Sequence, residues 1–120
     1  PEAVNNRCVK SHEYIFLFTK SKKYYFNADA IKIKDVRRGS VWSLNTASLK
    51  EAHFAVFPED IPALCIKAGS KEGDIVLDPF MGSGTTALIA QRLAREWIGI
   101  ELNPEYIEII KRRTAQSELF

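Results

Sequence analysis

Two carboxylates and a pair of glycines stand where ligand chemistry could be done. Asp78 ends the apolar run Ile75-Val76-Leu77, Gly82 and Gly84 follow it, and Glu101 ends a second run, Trp97-Ile98-Gly99-Ile100. Glycines at such a turn bend the chain sharply and let a ligand approach without meeting a Cβ. The first N–H groups of a helix opening at Thr85-Thr86 lack intrahelical acceptors and can donate to that ligand. A buried strand, a tight loop and a helix start are therefore expected over Ile75 to Thr86. The loop also fits Gly-x-Gly-x-x-Ala through Gly82, Gly84 and Ala87, with Glu101 nineteen residues beyond Gly82, which is the pattern of a dinucleotide fold. Asp78 argues against a pyrophosphate, whose charge it would repel, and no Lys follows the glycines to cradle a phosphate. A ligand with an ammonium end, an adenosine and no phosphate suits the two carboxylates better. Asp78 would take a charge-assisted hydrogen bond from the ammonium, and Glu101 would accept from the ribose hydroxyls. S-adenosylmethionine has that chemistry.

The flanking elements must position these groups. Prolines and acids at Phe57-Pro58-Glu59-Asp60-Ile61-Pro62 open a short amphipathic helix with Ile61, Leu64, Cys65 and Ala68 at helical spacing and Gly69 as its stop. After Thr85 a helix carries Leu88, Ile89 and Leu93 toward a sheet and Arg92 and Arg95 outward. Trp97 to Ile100 is the second strand of a right-handed β-α-β unit. Asn103 caps a last helix, Pro104 occupies its first turn, and Tyr106, Ile107, Ile109 and Ile110 form its buried side. Lys111-Arg112-Arg113 then places positive charge near its C-terminal end. In the first half, Tyr14 to Phe18 is apolar at every position and reads as a strand buried on both faces. With the basic break Lys20-Ser21-Lys22-Lys23 and the run Tyr24-Tyr25-Phe26 it makes an antiparallel β-hairpin. Ile31-Lys32-Ile33-Lys34 alternates like a half-exposed strand, and Val36 to Trp42 combines bases, a glycine and an aromatic like a nucleic-acid contact loop. Trp42 reads as a core plug before a base-stacking platform, and His53 has no carboxylate partner in sequence to give it a chemical role.

The chain of 120 residues, 46% hydrophobic and 27% charged, has the composition of an ordinary soluble globular domain, and no apolar run reaches membrane-spanning length. Starting at Pro1 without a methionine, it is expected to be a fragment or a processed chain. Cys8 and Cys65 lack metal-ligand spacing, so zinc is unsupported, both read as structural, and a reducing cytoplasm is the expected setting. The net charge of +2 hides an asymmetry: residues 1–52 carry ten Lys and Arg against five acids, and residues 53–120 carry seven against ten. A basic face beside a ligand-binding half suits contact with a phosphate backbone, as it also suits a solvated lysine-rich turn.

Asp78-Pro79-Phe80-Met81-Gly82-Ser83-Gly84-Thr85-Thr86 and Trp97-Ile98-Gly99-Ile100-Glu101-Leu102-Asn103-Pro104-Glu105-Tyr106 resemble the cofactor half of bacterial and phage DNA amino-methyltransferases whose catalytic motif lies upstream. His53 to Pro58 resembles the additional cofactor motif of that group, and Ser11 to Lys20 the strand after its catalytic region. The resemblance implies an S-adenosylmethionine site lined by Phe57, Asp78, Phe80, Gly82, Ser83, Gly84, Thr85, Glu101 and Asn103, with Leu102 and Asn103 flanking the adenine. It also implies DNA contact through Lys22 and Lys23 at the hairpin tip and Arg37 and Arg38 in a short target-recognition segment. The family's base-holding acceptors, a tetrapeptide of the Asp-Pro-Pro-Tyr type, are not in these residues, so no catalytic residue is assigned. The expected architecture is α/β: a partial Rossmann-like methyltransferase fold with the N-terminal antiparallel β-hairpin, divided into a DNA-facing part, 1–52, and a cofactor-binding β-α-β part, 53–120. A second copy or a partner chain would supply the missing strands and acceptors. An inactive remnant or a DNA-binding module on the same fold is the alternative.

Overall fold

The computed structural model describes residues 6, 8, 11–44 and 58–116. Its centre is a two-stranded parallel sheet, β1 (Ile75–Asp78) and β2 (Glu96–Gly99), with Ile75 opposite Glu96, Leu77 opposite Ile98 and Asp78 opposite Gly99. Parallel neighbours need a crossover connection. Here it is α2 (Thr85–Arg92), which touches both strands and also packs on α1 (Asp60–Gly69) and α3 (Pro104–Gln116).

One face of the sheet is covered. Ile66 of α1 packs against Ile89 and Ala90 of α2, with Val76 and Trp97 from the strands closing the cluster. Beside it, Met81, Ala87 and Ile110 tie the loop after β1 to α2 and α3. Gly99 is part of this fit, since a Cβ there would overlap the Met81 side chain. The other sheet face carries Ile75, Leu77 and Ile98, all more than half exposed.

Gly69, expected as the stop of α1, is its last helical residue. Ser70 terminates α1, both its N–H and its hydroxyl donating to the Ile66 carbonyl. Ala94, at φ 57°, turns the chain out of α2 toward β2. Asn103 opens α3 by accepting the Glu105 N–H at 2.9 Å, and Pro104 follows in the first turn, where a missing N–H costs nothing. Arg95, expected to point outward, instead lies half-buried and donates to the Ser70 carbonyl at 2.8 Å, bracing the end of α1 against the start of β2.

The N-terminal antiparallel β-hairpin is not formed, and the expected fold is corrected on that point. The sheet has two parallel strands; Tyr14–Phe18 and Tyr24–Phe26 run without strand pairing, every residue of both runs exposed. The physical reason lies in their pattern. A run apolar at every position needs a strand on each side and cover on both faces, and an isolated two-stranded ribbon offers neither. The segment is anchored past its end, where the Asn27 N–H donates to the Ala68 carbonyl at 2.8 Å and Ile31, in a 3-10 turn (Asp29–Ile31), is buried against α1. The alternation at Ile31–Lys34 yields only one antiparallel bridge, Ile33 to Val36, around a tight turn at Lys34 and Asp35.

Candidate functional site

The two carboxylates meet at the C-terminal ends of the parallel strands, where open α/β sheets hold their ligands. Asp78 is the last residue of β1, and the chain continues through Pro79 and Phe80 into the glycine loop. The Asp78 Oδ1 accepts the Phe80 N–H at 2.9 Å, an Asx turn that fixes the carboxylate at the loop entrance. The loop then docks on the neighbouring strand's exit, the Met81 N–H donating to the Ile100 carbonyl at 3.0 Å and the Ile100 N–H to the Asp78 carbonyl at 3.0 Å.

Glu101 holds the loop directly. Its Oε2 accepts the Gly82 N–H at 2.7 Å and its Oε1 the Asn103 N–H at 2.8 Å. The N–H of Asn103 does most to keep its carboxyl below the usual carboxylate range, against an upward push from burial, with the Gly82 and Leu102 N–H groups adding smaller downward pulls. Each oxygen keeps a second lone-pair direction, so Glu101 can bind the loop and still accept from a ligand hydroxyl.

The two glycines do different work. Both have positive φ, 54° at Gly82 and 84° at Gly84, a region costly for side chains. A Cβ at Gly84 would lie 2.8 Å from Ile110 Cγ1, so this residue is glycine because α3 packs against it. A Cβ at Gly82 would meet nothing nearer than the Phe80 carbonyl at 4.0 Å, so it would project into open space beside the Glu101 carboxylate. That open space forms a cradle on a loop flanked by the Asp78 and Glu101 carboxylates and by exposed apolar side chains at Phe80 (88%) and Leu102 (94%). The donor set fits S-adenosylmethionine.

Of the remaining candidates, Thr85 is buried and Ser83 half-buried, and the side-chain oxygens of both lie toward Arg113 of α3. Asn103 spends its side chain on capping α3. Phe57 and the whole His53–Phe57 segment lie outside the described residues. Lys22, Lys23 and Arg37 are exposed, whereas Arg38 donates to the Ile31 carbonyl at 3.0 Å and stacks its guanidinium 5.7 Å from the Trp42 ring centre. Trp42 in turn donates to the Gly39 carbonyl, so Arg38 and Trp42 brace their own loop. A separate concavity of about 420 Å³, lined by Asn27, Lys67, Glu72, Arg92 and Arg95 among others, lies at the opposite, N-terminal ends of the strands. Among the described residues no cluster suited to a metal ion occurs, and no helix is long and apolar enough to cross a membrane.

The profile of a family described as DNA methylase matches residues 1–112. The chain belongs to that family. Type II methyltransferase M.SmaI of Serratia marcescens is 48% identical over 120 residues, covering 94% of this chain and 41% of its own length. Type II methyltransferase M.Cfr9I of Citrobacter freundii is 47% identical, covering 94% of this chain and 39% of its own length. The chain thus spans about two fifths of these relatives. Among solved structures, M1.HpyAVI in complex with SAM superposes with a TM-score of 0.62 at 36% identity, over 76% of this chain and 44% of that one. The PvuII cytosine-N4-specific DNA methyltransferase gives a TM-score of 0.66 at 26% identity, over 74% and 35%.

One feature of the site lies outside the glycine motif and its two carboxylates. Arg113, a charge near the end of α3 in the sequence, reaches the glycine loop. Its spacing carries the signal, because Tyr106, Ile110 and Arg113 fall at i, i+4 and i+7 on one helix face, and a cation on the buried stripe needs acceptors there.

Proposed function

We propose that this chain is the cofactor-binding part of an S-adenosylmethionine-dependent DNA amino-methyltransferase. The observation that carries the reading is the open cradle over Gly82, whose N–H Glu101 holds, on the loop whose entrance Asp78 fixes. In this reading Asp78 pairs with the ligand's ammonium, Glu101 accepts from the ribose hydroxyls, and the N–H groups at the start of α2 face the amino-acid carboxylate. Phe80 and Leu102 offer apolar walls to the adenine, with Asn103 fixing the turn between Glu101 and α3. Phe57, Ser83, Gly84 and Thr85 complete the lining or its support.

Bound there, the sulfonium supplies an activated methyl group for an exocyclic base amine. The chain's own contribution is orientation: Asp78 would hold the ammonium end of the ligand and Glu101 its ribose. Residues 53–120 form the cofactor-binding part, and residues 1–52, richer in cations, face the DNA through Lys22, Lys23 and Arg37. The acceptors that hold the flipped base come from outside these 120 residues, and a further stretch of protein or a second chain covers the exposed sheet face.

Calorimetric titration with S-adenosylmethionine, with a reduced nicotinamide dinucleotide as control, tests the reading. Binding of the sulfonium ligand alone is expected. Binding of the dinucleotide in its place would overturn the assignment of Asp78 and Glu101.

A further inference from the structure

Arg113 leaves the last turn of α3 and crosses to the glycine loop. Its Nη1 donates to the Ser83 carbonyl at 2.8 Å and to the Ser83 hydroxyl at 3.1 Å, and lies 3.4 Å from the Thr85 hydroxyl. Its Nη2 is 4.0 Å from a carboxylate oxygen of Glu59, at the N-terminus of α1, whose other oxygen pairs with Arg92 of α2 at 2.9 Å. The Arg113 side chain is 22% exposed against 52% for Arg92, so the first is drawn into the structure and the second lies on its surface.

The peptide between Ser83 and Gly84 is the weak joint of the loop. Its N–H end is held, Gly84 donating to the Met81 carbonyl at 3.0 Å. Its carbonyl end is held by Arg113. Glycine accepts both signs of φ with little cost, so this peptide can rotate about its flanking bonds unless both ends are fixed. Rotation would carry the Ser83 carbonyl away from α3 and the Gly84 N–H off Met81. The loop would then lose the geometry in which the Gly82 N–H lies against Glu101.

We propose that Arg113 is a positioning residue for the glycine loop: by holding the Ser83 carbonyl from α3 it fixes the loop in its ligand-accepting form without touching the ligand. The inference rests on the cofactor assignment above. A guanidinium suits the task because its Nη1 donates to the Ser83 carbonyl and hydroxyl while its Nη2, held in the same plane, faces Glu59, which a lysine ammonium cannot reproduce at fixed geometry.

The test uses the full chain and Arg113→Met, Arg113→Lys and Arg92→Met variants, with two readouts. S-adenosylmethionine titration is expected to show Arg113→Met about tenfold weaker, from the loss of a charge-assisted hydrogen bond that orders the loop. Arg113→Lys should recover part of the affinity, and Arg92→Met, which removes only the surface partner of Glu59, should bind like the parent chain. Amide hydrogen exchange at Gly84, read without any ligand, should quicken in Arg113→Met and not in Arg92→Met. Should Arg113→Met fail to fold, Arg113→Lys carries the comparison. Unchanged affinity together with unchanged Gly84 exchange would overturn the proposal. If the parent chain does not bind S-adenosylmethionine, the cofactor assignment fails, and the Gly84 exchange rate still decides whether Arg113 fixes the loop.

Discussion

Asp78 and Glu101 differ in how they are held, and their substitutions should separate accordingly. Asp78→Asn keeps an oxygen for the Phe80 N–H and removes only the charge, so the fold should melt near the parent temperature while S-adenosylmethionine affinity falls by about 1.5–3 kcal/mol in calorimetry. Unchanged affinity would remove Asp78 from the site. Glu101→Gln retains one acceptor where two backbone N–H groups are bound, so it should lower the melting temperature at neutral pH. Because the folded carboxyl titrates below its ordinary value of 4.5, its stabilisation is present above that value and lost as pH falls through the folded pKa. The melting-temperature gap between parent and Glu101→Gln should therefore close on acidification below pH 4.5. Gly82→Ala and Gly84→Ala form a further contrast. The first should cost about 1 kcal/mol of stability from its positive φ but abolish binding by filling the cradle. The second should cost about 3 kcal/mol in denaturant unfolding, since the new methyl also meets Ile110.

At the scale of elements, the loop is a joint between α2, α3 and the ends of both strands. Ile110 packs with Met81 and Ala87 in that joint, so Ile110→Ala should lower unfolding free energy by about 3 kcal/mol in urea and weaken ligand binding with it. The β-α-β unit was legible because its signals agree: an apolar run ending in Asp78, glycines at the turn, and Asn103-Pro104 at the next helix start. The hairpin misled because Tyr14–Phe18 and Tyr24–Phe26 carry strand composition, and composition does not supply a neighbouring strand. The roles of Arg95 and Arg113 were not legible as charges on a helix, since their partners, Ser70 and Ser83, are distant in sequence and met only through the packing of α1, α2 and α3.

At the scale of the molecule, described residues pack one face of the parallel sheet, and the other is largely exposed. Ile75, Leu77 and Ile98 are 63%, 61% and 53% exposed on strands of a kind normally covered on both sides. Tyr14, Phe16 and Phe18 add an exposed aromatic row, with ring centres 6.0 Å apart. The isolated chain should bind a hydrophobic dye and self-associate in light scattering as concentration rises. Pairing Leu77→Lys with Ile98→Glu, which face each other across the strands, should reduce both effects while leaving the glycine loop intact. A dilute and concentrated parent chain that scatters alike as a monomer would show that this face needs no cover. The cradle over Gly82 lies at the C-terminal ends of both strands, where the cofactor is assigned. Nuclear magnetic resonance titration of the amide-labelled chain with S-adenosylmethionine tests that assignment most directly. Shifts are expected at Phe80, Gly82, Gly84, Leu102 and Asn103 and none at Lys67 or Glu72. Shifts confined to the concavity around Lys67, Glu72 and Arg95, or no shifts at saturating ligand, would contradict it.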